Sequence, residues 1–109
     1  MGEQPRQDRR KHVRYPLATT VEFYHGPSRR SYPARSADVS RGGMLMFLPV
    51  SAPVAPGEPI RLTVGGHNRP EFGALSERPL DATIVRVDRH KMLKSSHLPV
   101  GVRFSEPVA

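Results

Sequence analysis

Apolar and polar residues alternate along most of this 109-residue chain. In 17–24, LATTVEFY, the residues Leu17, Thr19, Val21 and Phe23 fall on one face, the period of a half-buried strand. HGPS (25–28) is turn-forming. Residues 29–39 read as a weaker strand, and Pro33 confines it to an edge or a bulge. A strongly apolar strand follows over 42–50. Residues 49–59 hold four prolines and form a loop. Alternation returns in 59–64, with Ile60, Leu62 and Val64 inward, and ends at the turn 65–70. Residues 71–79 fit no single pattern. A clear strand covers 80–88, with Ala82, Ile84 or their neighbours inward, then a basic loop over 89–97 and a last strand over 98–104. Five or six short strands without a convincing amphipathic helix predict an all-β fold, a small antiparallel barrel.

Composition narrows the picture. The length fits one small domain, and two segments are expected: a flexible basic N-terminal stretch, 1–14, and a barrel, 15–109. The chain has no cysteine, which excludes disulfides and thiolate metal sites and suits a cytoplasmic protein. No apolar run approaches the roughly 18 residues that span a bilayer, so no membrane insertion is expected. Gly2 does not begin a myristoylation signal, because Arg6 stands where Ser or Thr is required. Lys and Arg total 17 against 10 acidic residues, a formal charge of +7. Such a balance favours anionic partners, although a basic surface that serves only solubility has the same composition.

Two short stretches carry candidate chemistry. RRKHVR (9–14) clusters guanidinium groups ahead of the first strand. Each can grip phosphate or a guanine edge through two parallel N–H bonds, or stack on a purine face. DVSRGGM (38–44) sets a carboxylate, a hydroxyl and two glycines at a tight turn. Gly42 and Gly43 leave room for a ligand to approach the backbone, and tolerate positive φ. Taken singly, the first is explained as a solvated tail and the second as a β-turn bonded to its own side chains. Together they describe a site for a phosphate-bearing purine.

Order and spacing give the pair more weight. Arg10 and Arg14 form R-x-x-x-R, and Asp38, Ser40 and Gly43 form D-x-S-x-x-G. ATIVRV (82–87) and GVRF (101–104) follow. From Arg9 to Phe104 this resembles the PilZ family, bacterial receptor domains for cyclic di-GMP. The resemblance implies a PilZ-like β-barrel and a ligand-binding set of Arg9, Arg10, Arg14, Asp38, Ser40, Gly42 and Gly43. It implies that Asp38 accepts from the N1–H and N2–H₂ edge of guanine, and that Ser40 donates to a phosphate or ribose oxygen. Arg9, directly before R-x-x-x-R, implies stacking between purines and two ligands per site. The arginine segment is expected to close over the ligand and signal to a downstream protein partner. The sequence departs from the family in stopping after SEPVA, where many members continue into a C-terminal helix. A partner subunit or the Pro-rich loop is expected to cover that end instead.

Other readings remain open. A small barrel binding RNA or single-stranded DNA fits the charge, but the chain has three Tyr, four Phe and no Trp, few for a base-stacking platform, so nucleic acid is not expected. The histidines form no ligand-spaced cluster, so neither a metal site nor another cofactor is expected. No nucleophile elbow or P-loop appears, so an enzyme is not expected. Arg41, Arg86 and Arg103 can border the site or simply face water. Gly101 can admit a close approach of the tail.

Overall fold

The structure, a computed structural model, describes residues 13–92 and 96–108. Seven strands run in chain order: β1 (Tyr15–Pro16), β2 (Thr20–His25), β3 (Arg30–Val39), β4 (Gly43–Pro49), β5 (Pro59–Val64), β6 (Leu80–Val87) and β7 (His97–Phe104). Every pairing is antiparallel. The order β3-β2-β5-β6-β7-β4 closes through the β3–β4 pairing into a six-stranded barrel. Short β1 lies on the edge of β3 that β2 uses further along, with Tyr15 opposite Val39 and Pro16 opposite Asp38.

Alternation in the sequence is alternation in space. Val21, Phe23 and His25 of β2, Met44, Met46 and Leu48 of β4, and Ile60, Leu62 and Val64 of β5 all point inward and are buried. Ala82, Ile84, Val100, Val102 and Phe104 close the core from β6 and β7. Pro33 is tolerated for a local reason. Beyond Arg35 and Phe47 the β3–β4 ladder stops, so at Pro33 β3 pairs with β2 alone. Ser36 N–H bonds to Thr19 O on the β2 side. Strand alternation therefore aims the missing N–H of Pro33 at the open side, where no ladder bond is lost.

Between Leu17 and Thr19 the first strand breaks. The Ser36 hydroxyl enters the gap, accepting from Thr19 N–H and donating to Leu17 O. The β3–β4 register shifts between Ser36 and Asp38, a bulge that re-aims the strand just before the turn.

Connections close the two ends of the cylinder. At the end where β4 finishes and β5 begins, the Pro-rich loop inserts Ala52 and Val54 into the core. At the opposite end a 3₁₀ segment, Pro70–Ser76, inserts Phe72 and Leu75. The i, i+3 spacing of these two residues matches a 3₁₀ turn, which explains why 71–79 fitted neither period. Residues 105–108 form no helix. They fold back so that Val108 is buried and its N–H reaches Arg41 O at 2.8 Å. The expected basic loop after β6 starts as one helical turn, α1 (Arg89–Met92). Four residues are too few for a 3.6-residue period to show in sequence.

Candidate functional site

The end closed by Phe72 also carries the DVSRGG turn. Ser40 begins it: its N–H bonds to Gly43 O at 2.9 Å, and its hydroxyl oxygen accepts from both Gly42 N–H and Gly43 N–H at 3.2 Å. The hydroxyl proton is not used by these bonds and can still be donated. Gly43 is required by packing. A Cβ on it would lie 2.2 Å from Val102 O of the neighbouring β7. Neither Gly42 nor Gly43 adopts positive φ; among the described glycines only Gly57 does. The freedom expected at Gly43 thus serves strand contact, and the left-handed conformation allowed for the pair is not used. Gly101 is not constrained in this way, since a Cβ there would make only ordinary contacts with Val85 and Arg86.

Arg14 precedes β1, so the Tyr15–Val39 pairing carries it toward the end of β3. There its Nη1 donates to Asp38 Oδ1 at 2.7 Å. The segment is fastened by a second contact set. Arg69 Nε donates to Pro16 O at 2.8 Å, its guanidinium lies 5.6 Å from the Tyr15 ring centroid, and Tyr15 packs on Phe72 with centroids 5.7 Å apart. Arg69 also bonds Glu71. The Glu71 carboxyl is held below its ordinary range by its own backbone N–H and, more weakly, by Arg69.

Arg14 and the Ser40–Gly43 turn border a cleft of about 540 Å³. Its lining includes Arg14, Ser40, Gly42 and Gly43 from the sequence-derived set. Asp38 is not on the wall; it stands behind Arg14 as its ion-pair partner. Arg9 and Arg10 lie outside the described residues. Arg103 lines the cleft, whereas Arg86 does not, and Arg41 instead donates to Val108 O at 3.3 Å. Val85, Val102, Phe104, Ser105 and Pro107 complete the wall, and none of them was named as a site residue from sequence. Val85 sits where the β6–β7 register slips between Ile84 and Arg86, and a bulge in one strand leaves no periodic signature. The wall presents two guanidinium groups and no carboxylate, so it suits an anion.

A second polar group lies at the far end. Buried His25 reaches Ser28 Oγ through Nδ1 and Glu58 Oε1 through Nε2, both at 2.7 Å. A carboxylate only accepts, so Nε2 carries the proton. The Glu58 carboxyl is lowered from its ordinary value, chiefly by the bond from His25 and also by Ala55 N–H, with burial opposing. Ser, His and carboxylate are all present, yet the group lines neither the cleft beside Arg14 nor three other surface clefts, and it ties a hairpin to a loop. Among the described residues no cluster of three His, Cys, Asp or Glu could hold a metal ion, and no helix is long and apolar enough to cross a membrane.

The PilZ domain family model matches residues 8–108, and the chain belongs to that family. Solved structures share its fold, two of them as follows. One is the Bacillus subtilis inhibitor of motility MotI/DgrA, 21% identical with a TM-score of 0.67. The match covers 92% of this chain and 44% of that one, so the chain spans less than half of that relative. The other is the PilZ domain of Escherichia coli YcgR with c-di-GMP, 19% identical, TM-score 0.62, covering 89% of this chain and 78% of that one. No curated protein sequence matches at a significant level.

Proposed function

We propose that this domain is a cyclic di-GMP receptor. The observation that carries the reading is the Arg14–Asp38 pair beside the Ser40–Gly43 turn, at the mouth of a cleft whose wall is cationic. Membership of the PilZ family and the ligand named for the YcgR domain support it. In this reading Arg10 and Arg14 grip phosphate and purine. Asp38 reads the guanine edge, which adenine cannot match because it lacks the paired donors, and Ser40 donates to a phosphate or ribose oxygen. Gly42 and Gly43 keep side chains out of the cleft floor. Arg9 stacks between purines, so that two ligands bind as an intercalated pair.

The signal is the closure of the N-terminal segment over the barrel, read by a protein partner in the cytoplasm. The Arg14–Asp38 bond occupies one carboxylate oxygen. Ligand must therefore compete with Arg14 for Asp38 or use the remaining oxygen. A surface for single-stranded nucleic acid is less well supported, because the exposed aromatics Tyr15 and Tyr24 form no stacking row: Tyr15 is engaged by Phe72 and Arg69.

Calorimetry with cyclic di-GMP, cyclic GMP-AMP, cyclic di-AMP and single-stranded RNA tests the reading. Cyclic di-GMP is expected to bind tightest, with two ligands per domain, and Arg9→Leu to reduce the stoichiometry to one while binding survives. Equal binding of all four would sink the receptor reading. One ligand per wild-type domain would sink the intercalated pair alone.

A further inference from the structure

We infer that Arg103 and Val85 are ligand-contacting residues of the cleft, Arg103 as a further phosphate-binding cation and Val85 as an apolar rest for a purine face. The inference rests on the cyclic di-GMP reading and extends it to residues outside both short motifs.

Three observations carry it. The first is placement. Arg103 on β7 is directly opposite Gly43 on β4, and β4 pairs with β3, which pairs with β1. Arg14 thus enters from the β1 side and Arg103 from the β7 side. The strands between them bring Ser40, Gly42 and Gly43 to the wall. Because Gly43 has no side chain, nothing rises from β4 between the two guanidinium groups at that register. A bridging phosphate with several acceptor oxygens can take N–H donors from both sides.

Charge is the second observation. Arg14 is already balanced by Asp38, but the Arg103 side chain has no ion pair or hydrogen bond among the described residues. No Asp or Glu lines the cleft. Among the described residues the uncompensated positive charge there belongs to Arg103, and an arriving anion gains most from the cation that no carboxylate already neutralises.

The third is the exposure of Val85. It is 47% exposed, among the largest apolar exposures on the described surface. It sits between Ile84, opposite Val102, and Arg86, opposite Gly101, so it is the extra residue of a β6 bulge. Bulges re-aim a side chain, and this one brings Val85 into the cleft lining. Small-ligand sites combine an apolar wall with a few placed polar groups. A base has a broad apolar face, and Val85 supplies a matching surface beside the cation that takes the phosphate.

The test is titration of the intact chain with cyclic di-GMP at two salt concentrations, with thermal melts alongside. Arg103→Gln is expected to weaken binding about tenfold and to flatten its salt dependence, because one phosphate contact is lost. Val85→Ser is expected to weaken binding about threefold with the salt dependence unchanged. Arg86→Gln, next to the bulge but off the cleft wall, is expected to bind as wild type. All three should melt near the wild type, since these side chains are exposed. Wild-type affinity in both Arg103→Gln and Val85→Ser overturns the inference and leaves the receptor reading standing. A loss in Arg86→Gln equal to that in Arg103→Gln also overturns it, because net charge alone would then explain the effect. A wild type that binds no cyclic di-GMP overturns both.

Discussion

At the end of the barrel near His25, polar side chains satisfy one another; at the end near Arg14, they are left facing a cleft. His25 is 2% exposed and spends both ring nitrogens on Ser28 and Glu58. Glu58 in turn accepts from Ala55 N–H, and the loop beyond it buries Ala52 and Val54. The same closed sheet at the other end carries an exposed Arg14–Asp38 pair and an Arg103 with no side-chain partner among the described residues. Ser40 still has a proton to give. Polar groups that finish their hydrogen bonds internally stabilise a fold, and groups that do not are available to a ligand. Telling the two ends apart therefore requires partners, and residue types alone are insufficient. By type, Ser28, His25 and Glu58 look more like chemistry than Ser40 and Arg103 do.

The largest expected effect removes the cleft floor. Gly43→Ala would push a methyl into Val102 O, so β4 and β7 must separate. The cost is expected to be about 3 kcal/mol, the upper range for overpacking. Gly101→Ala, where the nearest atoms would be 3.8 and 3.9 Å away, should change stability by less than about 1 kcal/mol. Urea denaturation of both variants checks this. Similar values would mean that Gly43 is not held by strand contact.

Next comes the pair at the cleft mouth. Arg14→Ala should weaken cyclic di-GMP binding by roughly one to two decades, the worth of one charge-assisted contact. Fold stability should move by less than about 0.5 kcal/mol, since the Arg14–Asp38 pair is solvated. Asp38→Ala should also narrow the preference for guanine over adenine. Titration alongside denaturation separates the effects. Lost stability with retained affinity would reverse the roles assigned to the two ends.

The opposite profile is expected at the far end. His25→Leu keeps an apolar body in a buried position and loses two hydrogen bonds. Stability should fall by about 1–2 kcal/mol, and affinity for cyclic di-GMP should stay within about twofold of wild type. A tenfold loss of affinity would show that the ends are coupled through the barrel.

Strand positions were legible in the sequence because period-2 burial is written into residue type, as in TVEFYH and PIRLTV. What stayed hidden depends on register and cross-strand contact. The Ser36 hydroxyl that splits β1 from β2, the Val85 bulge, and the need for glycine opposite Arg103 are set by a neighbouring strand distant in sequence. The cleft wall divides the same way. Arg14, Ser40, Gly42 and Gly43, which line it, belong to the two short motifs, whereas Val85 was passed over as a strand residue and Arg103 was left between site and surface. Asp38 was named from its motif, but its ion pair with Arg14 was not foreseen. The paired role of Arg69 and Tyr15 needed a contact 54 positions apart (15 to 69) and carried no local signature.

The smallest expected effect sharpens the contrast through pH. Glu58 has a carboxyl lowered below its ordinary 4.5, chiefly by the His25 N–H. The native state therefore releases this proton more readily than the unfolded chain does. The stabilisation is complete above the ordinary value and is lost as pH falls through the lowered native value. Glu58→Gln keeps an oxygen acceptor for His25 and Ala55 but removes the charge. Because the Glu58 side chain is 27% exposed, solvent screening should limit the loss at neutral pH to under about 1 kcal/mol. That gap should close as pH falls through the lowered native value, where the wild-type carboxyl becomes neutral as well. Urea titrations from about pH 7 to pH 3 give both curves. A gap that stays constant across this range would mean that the charge at Glu58 contributes nothing, and that the far end is held by shape and neutral hydrogen bonds. Binding of cyclic di-GMP, measured on the same samples at neutral pH, should be the same in both proteins, since every group touched by the substitution lies at the end away from the cleft.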